Sequence, residues 1–145
     1  MSGLPRELCD LIASGPMAHL NTINADGSPQ VTVIWIGLDG NELVSGHMAW
    51  HVKLRNIARD SRVVLSFDTP RVPGVFLNQY AVVRARANVQ PNDDTWNLLN
   101  RLTKVYVHPD AESRRRRVLA TSCATPSSAS AELVLGRRAR ADLRA

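Results

Sequence analysis

Two Asp-Gly turns cut the first third of the chain into short extended runs, and their spacing leaves room for little except antiparallel strands. Ala25-Asp26-Gly27-Ser28 precedes Gln30-Val31-Thr32-Val33-Ile34-Trp35-Ile36, a run rich in β-branched and aromatic residues. Asp39-Gly40 follows, and then Glu42-Leu43-Val44-Ser45. Asp-Gly between such runs is a hairpin signal, because glycine accepts the positive φ that a tight connection needs. Upstream, Met17 to Asn24 alternates, with His19, Asn21 and Ile23 on one side and Leu20 and Thr22 on the other. These three runs are joined by connections too short for a helical crossover.

The same reading continues downstream. Arg62 to Asp68 is expected as a strand, and Thr69 to Gly74, with two prolines and a glycine, as a loop. Asn78 to Gln90 is expected as one long strand. In it Tyr80, Val82, Arg84, Arg86 and Asn88 alternate with Ala81, Val83, Ala85, Ala87 and Val89, giving one wet and one buried face. Helical spacing marks three other segments. Pro5 to Ser14 carries Leu8, Leu11 and Ile12, and Lys53 to Asp60 carries Leu54, Ile57 and Ala58 on one face. A helix starting at Pro91-Asn92-Asp93-Asp94 carries Trp96, Leu99, Leu102 or Thr103, and Tyr106. Five strands in hairpin order with peripheral helices predict a mainly β chain, an antiparallel barrel or closely rolled sheet. A doubly wound sheet would need helices between most strands.

Length and composition agree: 145 residues, 44% of them apolar, suit a single domain with a real core. No apolar run approaches the ~18 residues of a membrane span. Met1 to Arg6 has no apolar signal region behind it, so a cytoplasmic protein is expected. Cys9 and Cys123 are too few and too far apart for a disulfide framework or a zinc site, and the scattered histidines form no metal-ligand motif.

The net charge of +5 is unevenly placed. Residues 1–112 carry 10 Lys/Arg against 11 Asp/Glu, whereas residues 113–145 carry 8 Arg against 2 acids. The body is therefore close to neutral at −1 and the tail is +6. A polyanionic partner is not required by the body.

No phosphate-cradling glycine loop, paired-histidine helix or trustworthy nucleophile triad is present. Ser28 reads as a turn residue, and Asp93 and Asp94 as acids at a helix start. The best candidate is Trp50-His51-Val52-Lys53-Leu54-Arg55-Asn56, which follows a strand and opens a helix. It sets His51, Lys53 and Arg55 within one turn of a helix N-terminus, where free N–H groups already favour an anion. Arg grips a phosphate through two parallel hydrogen bonds and Lys adds a point charge. The plain reading, a solvated basic helix start, puts cations against the macrodipole. Trp35, Trp50 and Tyr80 are candidates for the wall of a flat aromatic cofactor, though aromatic strand residues are commonly core, as His19 and His47 are expected to be.

Three ordered segments resemble a known family. His19 to Trp35, with its Asn24-Ala25-Asp26-Gly27-Ser28-Pro29 turn, resembles the opening of the pyridoxamine-phosphate-oxidase-like split β-barrel proteins. Lys53-Leu54-Arg55-Asn56-Ile57-Ala58-Arg59-Asp60-Ser61-Arg62-Val63 and Tyr80 to Ala87 are similar to the branch that uses the deazaflavin coenzyme F-420. The resemblance, over residues 4 to about 108, implies an antiparallel split β-barrel of the FMN-binding type, in a homodimer with cofactor sites at the subunit interface. It implies that Lys53 and Arg55 hold the coenzyme phosphate with His51 and Asn56 beside them. Gln30, Val31, Thr32 and Val33 would lie along the ring, and Asn78 and Tyr80 would shape the pocket. The implied activity is hydride transfer from reduced F-420 to a small electrophilic organic substrate, with most of the chemistry residing in the coenzyme. FMN as cofactor, or a non-catalytic deazaflavin carrier, are the alternatives.

The tail departs from the family. Members continue with a proline-rich loop, a final strand and an ending Gly-Val-Gly-Pro-Trp, where this chain has Arg114-Arg115-Arg116-Arg117 and a Ser/Ala/Arg-rich stretch. CGC arginine codons read as CCG, proline, one frame away, and a suitable choice of codons for Ser128 to Gly136 restores the lost ending. Residues 1–112 are therefore expected as the split-barrel domain with an altered C-terminal strand. Residues 113–145 are expected as an atypical tail, frame-shifted or disordered. A nucleic-acid role for the Arg run lacks interleaved aromatics and is not expected.

Overall fold

The computed structural model describes residues 4–91, 94–112, 121–125 and 130–134. Its described elements run α1 (Arg6–Ala13), β1 (Ala18–Ile23), β2 (Pro29–Ile34), β3 (Gly37–Asp39), β4 (Glu42–His47), α2 (Val52–Arg59), β5 (Arg62–Asp68), β6 (Tyr80–Arg86), β7 (Asn88–Pro91), α3 (Thr95–Tyr106), β8 (Thr121–Thr125) and β9 (Ser130–Val134). The strands form two antiparallel sheets, ordered β2-β1-β5-β6-β9 and β3-β4-β8-β7. The fold is a split barrel, as expected.

The first Asp-Gly turn closes the β1–β2 hairpin. Asp26 accepts hydrogen bonds from the Ser28 N–H (2.9 Å) and hydroxyl (2.6 Å). Gly27 has φ 84°, the left-handed conformation for which glycine is suited. That turn sets the register, with Thr22 opposite Gln30 and Leu20 opposite Thr32. Because side chains alternate, Ala18, Leu20 and Thr22 face the core while His19, Asn21 and Ile23 are only half-buried. The second turn joins β3 to β4 through the pair Asp39–Glu42.

The expected long strand at 78–90 divides at Ala87. Its N–H donates to the Ser61 carbonyl (2.8 Å) instead of continuing the β5–β6 ladder. Upstream of that corner, β6 belongs to the five-stranded sheet; beyond it, β7 pairs with β8 in the other. Alternation carries through the corner, so the period gave the buried face correctly but could not show the change of sheet. The strand expected at 30–36 likewise ends at Ile34, and a short β3, missing from the sequence reading, starts at Gly37.

Leu20, Leu65, Val83 and Phe67 from one sheet, Leu43 from the other, and Leu8, Ile12 and Ile57 from the helices form one buried cluster. Truncating a side chain such as Phe67, which is fully buried, costs ~3–5 kcal/mol. On the second sheet's other side, Leu98 and Leu102 of α3 pack against Val44. Gly46 permits this approach, since a Cβ there would come within 2.9 Å of Leu99. Trp35 stacks on Tyr106, centroids 5.3 Å apart and planes at 8°, and the Tyr106 hydroxyl reaches the Pro16 carbonyl (2.8 Å). Trp35 is thus a packing residue.

The described sheets reach past residue 112, because β8 lies between β4 and β7 and β9 extends β6. The expectations for Arg114 to Arg117 and for the chain's end lie outside the described residues. No described helix is long and apolar enough to cross a membrane.

Candidate functional site

The candidate phosphate-binding segment stands where the sequence puts it, at the start of α2. β4 ends at His47, a short connection follows, and His51 takes the N-cap position in an extended conformation (φ −70°, ψ 165°). Among the described residues no side chain caps the helix, and its first turn holds no acid. The backbone donors and positive end of the macrodipole are therefore not neutralised locally. Into this position the sequence sets Lys53, half-buried, with His51 and Arg55 exposed beside it.

Burial pushes the Lys53 ammonium below its ordinary pKa. Neighbouring His47 is 6% exposed, and burial, then the charges of Lys53 and His51, push its pKa from 6.5 down to about 3. His47 is neutral at physiological pH and shares a 2.8 Å hydrogen bond, Nε2 to Oγ, with buried Ser45. Positive charge is therefore concentrated around Lys53 without a carboxylate in the first turn to offset it.

Asn56 plays a different part from its neighbours. It is 3% exposed, and its Nδ2 donates to Thr22 Oγ1 (3.0 Å) and Asn24 Oδ1 (2.9 Å). Its Oδ1 accepts from Arg59 (3.0 Å). Thr22 Oγ1 in turn donates to Gln30 Oε1 (2.8 Å). Two residues expected around the cofactor, Gln30 and Asn56, are thus joined through Thr22 in a network that fixes α2 against the β1–β2 hairpin. Thr22 and Arg59 were not singled out by sequence. The β1 alternation put Thr22 on one side with Leu20, but only the fold supplies its partner 34 residues away. Ala58, expected on the buried face of α2, is exposed, and Asn56 takes that side.

Among the described strands β2 is an edge of its sheet. Val31 and Val33 point outward, 57% and 53% exposed, whereas Gln30 and Thr32 are half-buried. Asn78 and Tyr80 are exposed at the opposite end of the sheet from the Asn56 contact. Tyr80 pairs with Asp68, one residue beyond the Ala18–Phe67 pair, and Thr22 lies four residues the other way along β1. At ~3.3 Å per residue this separates Tyr80 from the Thr22 row by ~16 Å. A single chain therefore gathers His51, Lys53, Arg55 and Asn56 at α2 and joins Gln30 to them, but leaves Asn78 and Tyr80 apart. Trp50, half exposed, flanks the start of α2.

Comparison with known proteins gives the family and the fold. The family model for pyridoxamine 5′-phosphate oxidase matches residues 4–125. A solved structure named F-420 reductase is 27% identical and superposes with TM-score 0.70, covering 88% of this chain and 98% of that one. A conserved hypothetical protein from Mycobacterium tuberculosis (18% identity, 92% and 85% covered, TM-score 0.71) shares the fold. So does an FAD and heme binding protein from Mycobacterium smegmatis (21% identity, 97% and 76% covered, TM-score 0.67). No curated protein matches the chain.

Proposed function

The chain belongs to the pyridoxamine 5′-phosphate oxidase family, and from that premise we propose that it is an oxidoreductase holding the phosphate of coenzyme F-420 at the start of α2. The observation that carries this reading is the uncapped helix terminus with half-buried Lys53 set into it. The donor set suits a phosphate monoester or diester: backbone N–H groups at a positive helix end, an ammonium and a guanidinium. The likeness to a protein named F-420 reductase, which covers nearly all of that chain, favours the deazaflavin over FMN.

When bound and reduced, the coenzyme supplies a hydride for an electrophilic double bond of a small organic substrate. The chain's own residues bind and orient. Lys53 and Arg55 neutralise the phosphate, and His51 borders it. Asn56 holds the helix end in place through Thr22, so the anion site and the β2 backbone beside Gln30 to Val33 keep a fixed relation. Neutral His47 leaves the local positive charge to Lys53 and its neighbours.

The same reading places two copies in the working protein. Val31 and Val33 form an outward apolar row on a sheet edge, suited to burial against a second copy. Asn78 and Tyr80, too far from α2 within one chain, would shape the pocket of that copy. FMN is the second reading, since the matched family is a pyridoxamine 5′-phosphate oxidase family. Fluorescence titration of the purified protein with F-420 and with FMN tests the choice, with saturable F-420 binding expected.

A further inference from the structure

The other end of α2 carries a second, separate concentration of cations. Arg59 closes the helix, Arg62 opens β5 and Arg86 closes β6. Arg62 and Arg86 stand directly opposite each other in the antiparallel ladder, both exposed. Like charges in that position are destabilising, so the pair needs a counter-charge.

The chain supplies part of it. Asp60 accepts from Arg62 Nε (3.0 Å) and Nη2 (2.7 Å), a two-pronged grip that holds the guanidinium flat. Arg86 Nη1 donates to Ser61 Oγ (3.1 Å). Arg59 Nη2 donates to the Ile23 carbonyl and to Asn56 Oδ1 (3.0 Å). Each guanidinium is thus anchored by one or two of its five N–H donors and retains others. These residues border an open cleft of about 500 Å³ that the β1–β2 turn also lines. Its lining holds three arginines against one carboxylate, Asp60, a surplus of two positive charges. Asp26, whose charge also reaches Arg59, is turned onto Ser28 and is not part of the lining. A second cleft of about 450 Å³ shares Arg62 and Arg86 and adds Arg84.

We propose that this cleft binds a small doubly charged anion through its phosphate or carboxylate groups, gripped by Arg59, Arg62 and Arg86. Orientation of the guanidiniums before binding reduces the ordering cost, and planar forks match both kinds of oxygen pair. The site is distinct from that at Lys53, which lies six residues earlier, ~9 Å along the helix axis. It does not depend on the coenzyme reading.

Isothermal titration of the full chain carrying Lys53→Ala, which removes the ammonium at the start of α2, with phenyl phosphate and, separately, with succinate tests the proposal. Saturable binding of at least one probe is expected, and which probe binds identifies the preferred anionic group. In that background Arg86→Gln and Arg62→Gln should each weaken that binding at least tenfold, while Arg6→Gln leaves it within twofold. Retained affinity in both arginine variants, or no saturable binding of either probe, would overturn it.

Discussion

Asn56 donates a 3.0 Å hydrogen bond to the hydroxyl of Thr22, and both side chains are almost wholly buried. This contact ties the helix that carries Lys53 to the hairpin that carries Gln30. Replacing Asn56 by Ala leaves the Thr22 and Asn24 acceptors and the Arg59 donor without their partner. A loss of ~1–3 kcal/mol is expected, chiefly from Thr22, the buried member of the three. Urea unfolding should show a lower midpoint at unchanged slope; an unchanged midpoint would mean that the network contributes nothing.

His47 gives stability a pH dependence. The unfolded chain takes up a proton near the ordinary value of 6.5, the folded chain only near about 3. Between these values the unfolded state binds more protons, so stability falls as pH is lowered through 6.5. Urea midpoints measured from pH 8 to pH 5 should decline, and His47→Gln should flatten the decline. An equal slope in that variant would remove His47 as its source.

Much of this fold was legible in the sequence, for identifiable reasons. Asp-Gly turns fixed the hairpins, and two-residue alternation put Leu20 and Thr22 of β1 on one side and split 80–89 into a wet and a buried face. The corner at Ala87 was not legible, because a strand that changes sheets keeps its period and only the Ala87–Ser61 hydrogen bond marks the break. The basic start of α2 was visible as charge against a helix dipole. The Thr22–Asn56 contact was not, since two ordinary polar residues far apart in sequence carry no local signature. Arg62 and Arg86 escaped notice for the same reason: only strand register makes them neighbours.

The outward valines predict assembly. Val31→Glu together with Val33→Glu puts two charges on the exposed row of β2 and should convert a dimer to monomers in sedimentation velocity. A wild-type monomer, or a variant that remains dimeric, would contradict the two-copy arrangement.

The strands beyond residue 120 are integral to pairing. β8 bridges β4 and β7, so a chain ending at residue 112 leaves both without that neighbour. Loss of a cooperative thermal transition is expected for the shortened chain, read by circular dichroism. A transition as sharp and as high as that of the full chain would show that β8 is dispensable.

Binding of F-420 at Lys53 is the central claim, and a fluorescence titration of wild type and Lys53→Ala with F-420 and with FMN tests it most directly. Saturable F-420 binding to wild type is predicted, weakened tenfold or more by the substitution, as expected for loss of a hydrogen bond between charged groups worth ~1.5–3 kcal/mol. Tight FMN binding without any response to F-420, or equal F-420 affinity in the two proteins, would contradict it.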